Sequence, residues 1–153
     1  MEPRLDYTKA SPEAYRAMAQ LEAVVRNSGL DAKLLELVKI RASQLNGCAY
    51  CIDMHTKDAR SKDETEQRIY ALDAWRETPF FSETERAALA WTEALTNIQQ
   101  GHAPEAVYQE VSRHFNEAEI MSLTLAITTI NAWNRIAIAF RLVPGSYQAI
   151  PAR

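Results

Sequence analysis

Apolar residues recur at helical spacing along nearly the whole chain, and polar caps and glycines divide them into segments. Ser11-Pro12-Glu13 supplies an N-cap followed by proline at the first helical position. Ala14, Met18, Leu21 and Val25 then share one face with Tyr15 beside it, which predicts a first amphipathic helix. Asp31 caps a second helix running to about Asn46, with Leu34, Leu35, Val38, Ala42 and Leu45 as its apolar stripe. Gly47 breaks the chain before a third helix from Cys48 to about Arg60. A fourth follows Asp63 and carries Ile69, Leu72 and Trp75. Ser82-Glu83-Thr84-Glu85 is a capping box that opens a fifth helix with Leu89, Leu95 and Ile98. Pro104 starts a sixth that ends near Phe115. Asn116-Glu117-Ala118-Glu119 caps the last segment, which is apolar on nearly all sides as far as Arg141 and is expected to be buried all round.

Each of the four glycines, Gly29, Gly47, Gly101 and Gly145, falls where a helical pattern stops. No segment shows sustained period-2 alternation, and the chain has neither an internal repeat nor a low-complexity linker. The expected fold is all-α, one domain over residues 1–153, a bundle of about seven helices.

With 153 residues the chain can bury a core without disulfide or metal staples. The formal charge of −3, from 17 basic and 20 acidic residues without a basic run, offers no footprint for nucleic acid or an anionic membrane. The N-terminal MEPRLDYTKA carries charges and a proline where an export signal places its apolar core, so a cytoplasmic location is expected. The most apolar stretch includes Asn131, Asn134 and Arg135, which are costly in a bilayer, so it reads as a buried helix whose polar residues form a structural hydrogen-bond network. Trp91 and Trp133 read as core or interface residues.

The candidate chemistry lies in LNGCAYCIDMHTKDAR, residues 45–60, which holds both cysteines and one of the three histidines. In a reducing compartment, paired cysteines point to catalysis or metal binding rather than to a permanent bond. On a helix, Cys48, Cys51 and His55 stand at i, i+3 and i+7, on one face, and can share a pocket. Two activating devices act on different sulfurs. His55 is one turn from Cys51 but roughly 10 Å from Cys48 along the axis, whereas the helix start favours a thiolate at Cys48. One cysteine should attack and the other resolve, and the spacing leaves their assignment open. A zinc site would use Cys48, Cys51 and His55 but lacks a second Cys/His cluster for its fourth ligand. A non-catalytic helical assembly module with passive cysteines is the alternative of a different class. A thioredoxin-like fold would need a βαβ context that the pattern does not show. Asp53 and Lys57, at i and i+4, read as a solvated pair, and Glu36 taken alone reads as a surface carboxylate.

The run Glu36, eleven residues, then Cys48-Ala-Tyr-Cys51-Ile-Asp-Met-His55 resembles the signature of the alkylhydroperoxidase AhpD-like branch of the carboxymuconolactone decarboxylase family. The stretch INAWNRIAIAFR, residues 130–141, is similar to the last helix of small family members. The resemblance implies a thiol-dependent peroxidase in which Cys51 attacks the peroxide, Cys48 closes the disulfide, and Glu36 with His55 relays a proton to the Cys51 sulfur. It implies no cofactor or metal, a peroxide substrate, a thiol reductant such as a dihydrolipoyl protein, and a homo-oligomer, a trimer or a hexamer built from trimers. One position departs from the better-known pattern: Tyr50 stands where a second histidine precedes the second cysteine. A phenol with a reference pKa of about 10 donates a hydrogen bond but does not act as a base near neutral pH. The decarboxylase branch is the enzyme alternative, although a dithiol has no evident task in lactone decarboxylation.

Overall fold

The helices of the computed structural model, which describes residues 2–149, begin at the caps that the sequence marks. They are α1 (Tyr7–Ala10), α2 (Pro12–Arg26), α3 (Ala32–Asn46), α4 (Ala49–Ser61), α5 (Glu66–Ala71), α6 (Glu83–Thr96), α7 (Glu105–His114) and α8 (Glu117–Phe140), with no strand among the described residues. Ser11, Asp31, Thr65, Ser82 and Asn116 each accept a first-turn amide through the side chain. At Ser82 and Asn116 the glutamate three residues on returns the bond, completing a capping box. Beyond the seven expected helices there is the single turn α1, capped by Asp6. The fourth expected helix also changes character after α5, where Leu72–Glu77 form a 3₁₀ segment with a non-helical Ala74. Leu72 and Trp75 are both buried there, and the Trp75 indole donates to Glu93 Oε1 at 2.8 Å.

Helix α3 runs through the centre and packs on α4, α6 and α8. Every residue from 34 to 43 is buried, so its pattern is not the single stripe that the sequence suggests. Conversely, α8 is not buried all round: Met121, Thr128, Arg135, Ile138 and Ala139 form an exposed stripe, because its neighbours α2, α3 and α6 cover only part of it. Leu34, Val38, Trp91, Val111, Phe115, Leu123 and Ile127 make one core cluster, and Leu37, Ile40, Leu72, Trp75, Phe81 and Leu89 another. The charges that burial imposes on α3 are all paired: Lys39 meets Glu22, and Arg41 meets Glu93 and Asp73. Among the described residues no helix is long and apolar enough to cross a membrane.

Candidate active site

Gly47 ends α3 in the left-handed conformation (φ 68°, ψ 32°), a position that a side chain disfavours, and this turn delivers Cys48 to the start of α4. Cys48 is the N-cap of α4 and Cys51 lies in its first turn; both are reduced and almost fully buried, at 1% and 2% exposure. They pack with Ala42, Ile130 and Ala137 of α3 and α8. Cys48 makes no conventional side-chain cap bond, yet the amides of Tyr50 and Cys51 lie close enough to its sulfur to favour a thiolate. Donation from the Cys51 thiol is the larger influence. Together these contacts outweigh burial and hold Cys48 down at about 7, against an ordinary 9.0. The same contact with Cys48, reinforced by burial, pushes the Cys51 thiol up. The contact thus favours ionisation of Cys48 over that of Cys51.

Access follows the other sulfur. A cavity of about 550 Å³ is lined by Cys51, His55 and Glu36 but not by Cys48, which sits behind it. The expectation that all three members of the cysteine–histidine face share one pocket is corrected accordingly. Five aromatic side chains line the cavity beside the charged Glu22, Arg26, Lys39, Asp58 and Lys62: Tyr7, Tyr15 and Trp133 meet edge to face at centroid distances of 5.9–6.3 Å, with Tyr50 and Tyr147 also in the wall. Trp133 lines this cavity and also packs against the core cluster around the two cysteines, whereas Trp91 is buried in the larger core.

Glu36 is 6% exposed and His55 5%, and the two form a direct pair, His55 Nδ1 to Glu36 Oε2 at 2.9 Å. Lys62 Nζ donates to the other carboxylate oxygen at 3.0 Å. Burial alone would raise the Glu36 carboxyl; the bond and charge of His55, with Lys39 and Lys62, prevail and hold it down at about 2. Ionised Glu36 makes Nδ1 the donor and leaves Nε2 as the nitrogen that can exchange a proton. Read alone as a surface carboxylate, Glu36 is instead a buried, paired one. The polar residues of α8 form the expected network. Asn134 Nδ2 donates to Ser43 Oγ at 3.0 Å, and Asn46 Nδ2 donates to Oδ1 of both Asn134 and Asn131, at 2.8 and 2.9 Å. The Asn134 amide also faces both sulfurs and favours their ionised forms.

Lys62, Asp58 and Tyr147 were not marked by the sequence reading. Asp58 and Lys62 were detectable, because Cys51, His55, Asp58 and Lys62 recur at i, i+4, i+7 and i+11 of one helix face. Potential metal-ligand atoms of Glu36, His55 and Asp58 lie within 4.8 Å of one another, but Lys62 already occupies one Glu36 oxygen. Among the described residues it is this trio, and not Cys48, Cys51 and His55, that converges as a ligand set.

The model of the carboxymuconolactone decarboxylase family matches residues 12–94, and the chain belongs to that family. The uncharacterised protein YdfG of Bacillus subtilis is 46% identical over 139 residues, 91% of this chain and 95% of YdfG. ATU0492 from Agrobacterium tumefaciens, a protein of unknown function suggested to be the antioxidant defence protein AhpD, has a crystal structure that matches with a TM-score of 0.92 at 44% identity. That match covers 95% of this chain and 100% of ATU0492. The alkylhydroperoxidase AhpD core of a peroxidase-related protein from Ralstonia eutropha JMP134 has a TM-score of 0.80 at 17% identity, over 92% of this chain and 75% of that one, a likeness of fold alone. Within the family the chain falls in the AhpD-like branch.

Proposed function

We propose that this chain is a thiol-dependent peroxidase that cycles Cys48 and Cys51 between dithiol and disulfide. The observation that carries the reading is the placement of Cys51 and the Glu36–His55 pair on one cavity, with Cys48 packed against Cys51 behind it. As a hydroperoxide enters, Cys51 passes its proton to His55 Nε2, and the Cys51 thiolate attacks the outer peroxide oxygen. The O–O bond breaks, the alkoxide leaves as an alcohol with a proton from His55 Nε2, and Cys51 becomes a sulfenic acid. Cys48 then attacks that sulfur. Its proton leaves with the sulfenic hydroxyl as water, and the disulfide closes. Glu36 holds the His55 tautomer and orientation. The electrons that reopen the disulfide come from an external dithiol. The cavity, at about 550 Å³ and with five aromatic rings in its wall, is within the range of small-molecule pockets, which suits an organic hydroperoxide.

Peroxide consumption by reduced single variants tests the reading. With tert-butyl hydroperoxide, Cys51→Ser should consume none, whereas Cys48→Ser should consume one equivalent and stop at sulfenic acid, or a second where that acid overoxidises to sulfinic acid. If Cys51→Ser reacts and Cys48→Ser does not, the thiolate on Cys48 is the nucleophile and the roles are reversed.

A further inference from the structure

Both cysteines are almost wholly buried, Cys51 at the cavity wall and Cys48 behind it, yet a dithiol/disulfide site has to admit an external thiolate in line with the S–S bond. The covering layer near Cys51 includes the chain that follows α8. After Arg141, in the left-handed conformation at the helix end, this chain doubles back along the flank of α4, and its Leu142 and Tyr147 line the cavity. Leu142 is held to the bundle, its amide donating to the Ala137 carbonyl of α8 at 3.0 Å and its side chain packing on the cluster around the cysteines; from Gly145 onward the hydrogen bonds run to α4. Asp53 Oδ2 accepts the Gly145 amide at 3.0 Å. Lys57 Nζ, paired with the same carboxylate at 2.9 Å, donates to the Tyr147 carbonyl at 3.0 Å and the Gly145 carbonyl at 3.5 Å. The Tyr147 hydroxyl donates to Asp58 Oδ1 at 2.7 Å. Asp53 and Lys57, which the sequence presents as a solvated pair, are therefore a clasp for this chain. Burial and the Asp58 carboxylate push the Tyr147 phenol up, so it remains a donor.

We propose that residues 143–149 form a strap that closes the cavity over Cys51, latched by Asp53, Lys57 and Asp58, and that its release gates the access of an external dithiol to the site. Its purpose rests on the dithiol reading above; the gating itself is a property of access. The physical basis is the kind of contact. Hydrogen bonds near solvent hold the strap against α4, and a segment held this way opens locally without unfolding the bundle. Gly145 is the point of bending, with φ of +106° and open space where a side chain would stand.

The test is alkylation of the reduced, full-length protein by iodoacetamide, with the modified cysteines read by mass spectrometry. Two variants unlatch the strap without touching the sulfurs, Glu36 or His55: the double replacement Asp53→Ser with Lys57→Met, and Gly145→Pro, which removes the donated amide and cannot adopt the native φ. Each should speed alkylation of Cys51 by about tenfold or more, with little dependence on low urea concentrations, as local opening requires. Wild-type rates in both variants would overturn the proposal, as would an acceleration that rises steeply with urea and so reports global unfolding. Alkylation needs no peroxide. A protein that never consumes peroxide would defeat the peroxidase reading and leave this result readable.

Discussion

Replacing Glu36 by glutamine keeps the size of the side chain, removes its charge and turns one of its two acceptor oxygens into a donor. The folded protein holds this carboxyl at about 2 against an ordinary 4.5. At about 1.36 kcal/mol per pH unit, the favoured ionisation contributes on the order of 3 kcal/mol to stability at pH 7. A depressed folded pKa sets the sign. The contribution is complete above pH 4.5, declines as the pH falls through the interval down to about 2, and is gone below it. Glu36→Gln has no such contribution at any pH. Urea unfolding of both reduced proteins, followed by far-ultraviolet circular dichroism across that interval, should show a stability difference that is largest at neutral pH and shrinks by a few kcal/mol on acidification. A difference of equal size at neutral pH and at about pH 2.5 would refute the reasoning, because it would mean that the Glu36–His55–Lys62 cluster is not held together by charge.

Coupling within that pair is open to a kinetic test: Glu36→Gln and His55→Gln should each slow peroxide reduction, and the double variant should lose far less than the product of the two factors, whereas independent multiplicative losses would show that the contact is not used as a unit. Cys51→Ala removes the thiol that donates to Cys48, so the thiolate titration, followed by ultraviolet absorbance, should move up from about 7 toward 9.0; a midpoint that stays put would assign the lowered value to the helix start instead. Away from the site, Arg68 bonds both oxygens of the buried Glu64 and also reaches Glu85, so Arg68→Met should cost about 3 kcal/mol in urea unfolding and Glu64→Gln should restore part of the loss. An Arg68→Met loss below about 1 kcal/mol would place Glu64 in contact with water.

Local chemistry decides how far the sequence can be read. Ser82 with Glu85 and Asn116 with Glu119 announce their helices because both bonding partners lie within four residues. The cysteine motif announces the dithiol for the same reason. Neighbours decide the rest. The pattern of α3, with Glu36, Lys39 and Arg41 among its apolar residues, looks amphipathic, and only the packing of α4, α6 and α8 shows that every one of those charges is buried and paired. The approach of Glu36 to His55 across the Gly47 turn has no local cause; family resemblance pointed to it, and helix packing supplies the contact. Asp58 and Lys62 could have been found by following the Cys51–His55 face one turn further. Tyr147 could not, since it reaches Asp58 from 89 residues away through a segment without regular structure.

The most direct measurement is mass spectrometry of the intact protein, reduced under anaerobic conditions, before and after one equivalent of organic hydroperoxide, with peptide mapping of the product. A thiol peroxidase of this design loses the mass of two hydrogens, yields a single Cys48–Cys51 disulfide and returns to the starting mass with a dithiol. A protein that keeps both thiols after the peroxide is added, or that gains oxygen at Cys51 without closing the disulfide, would contradict the proposed cycle.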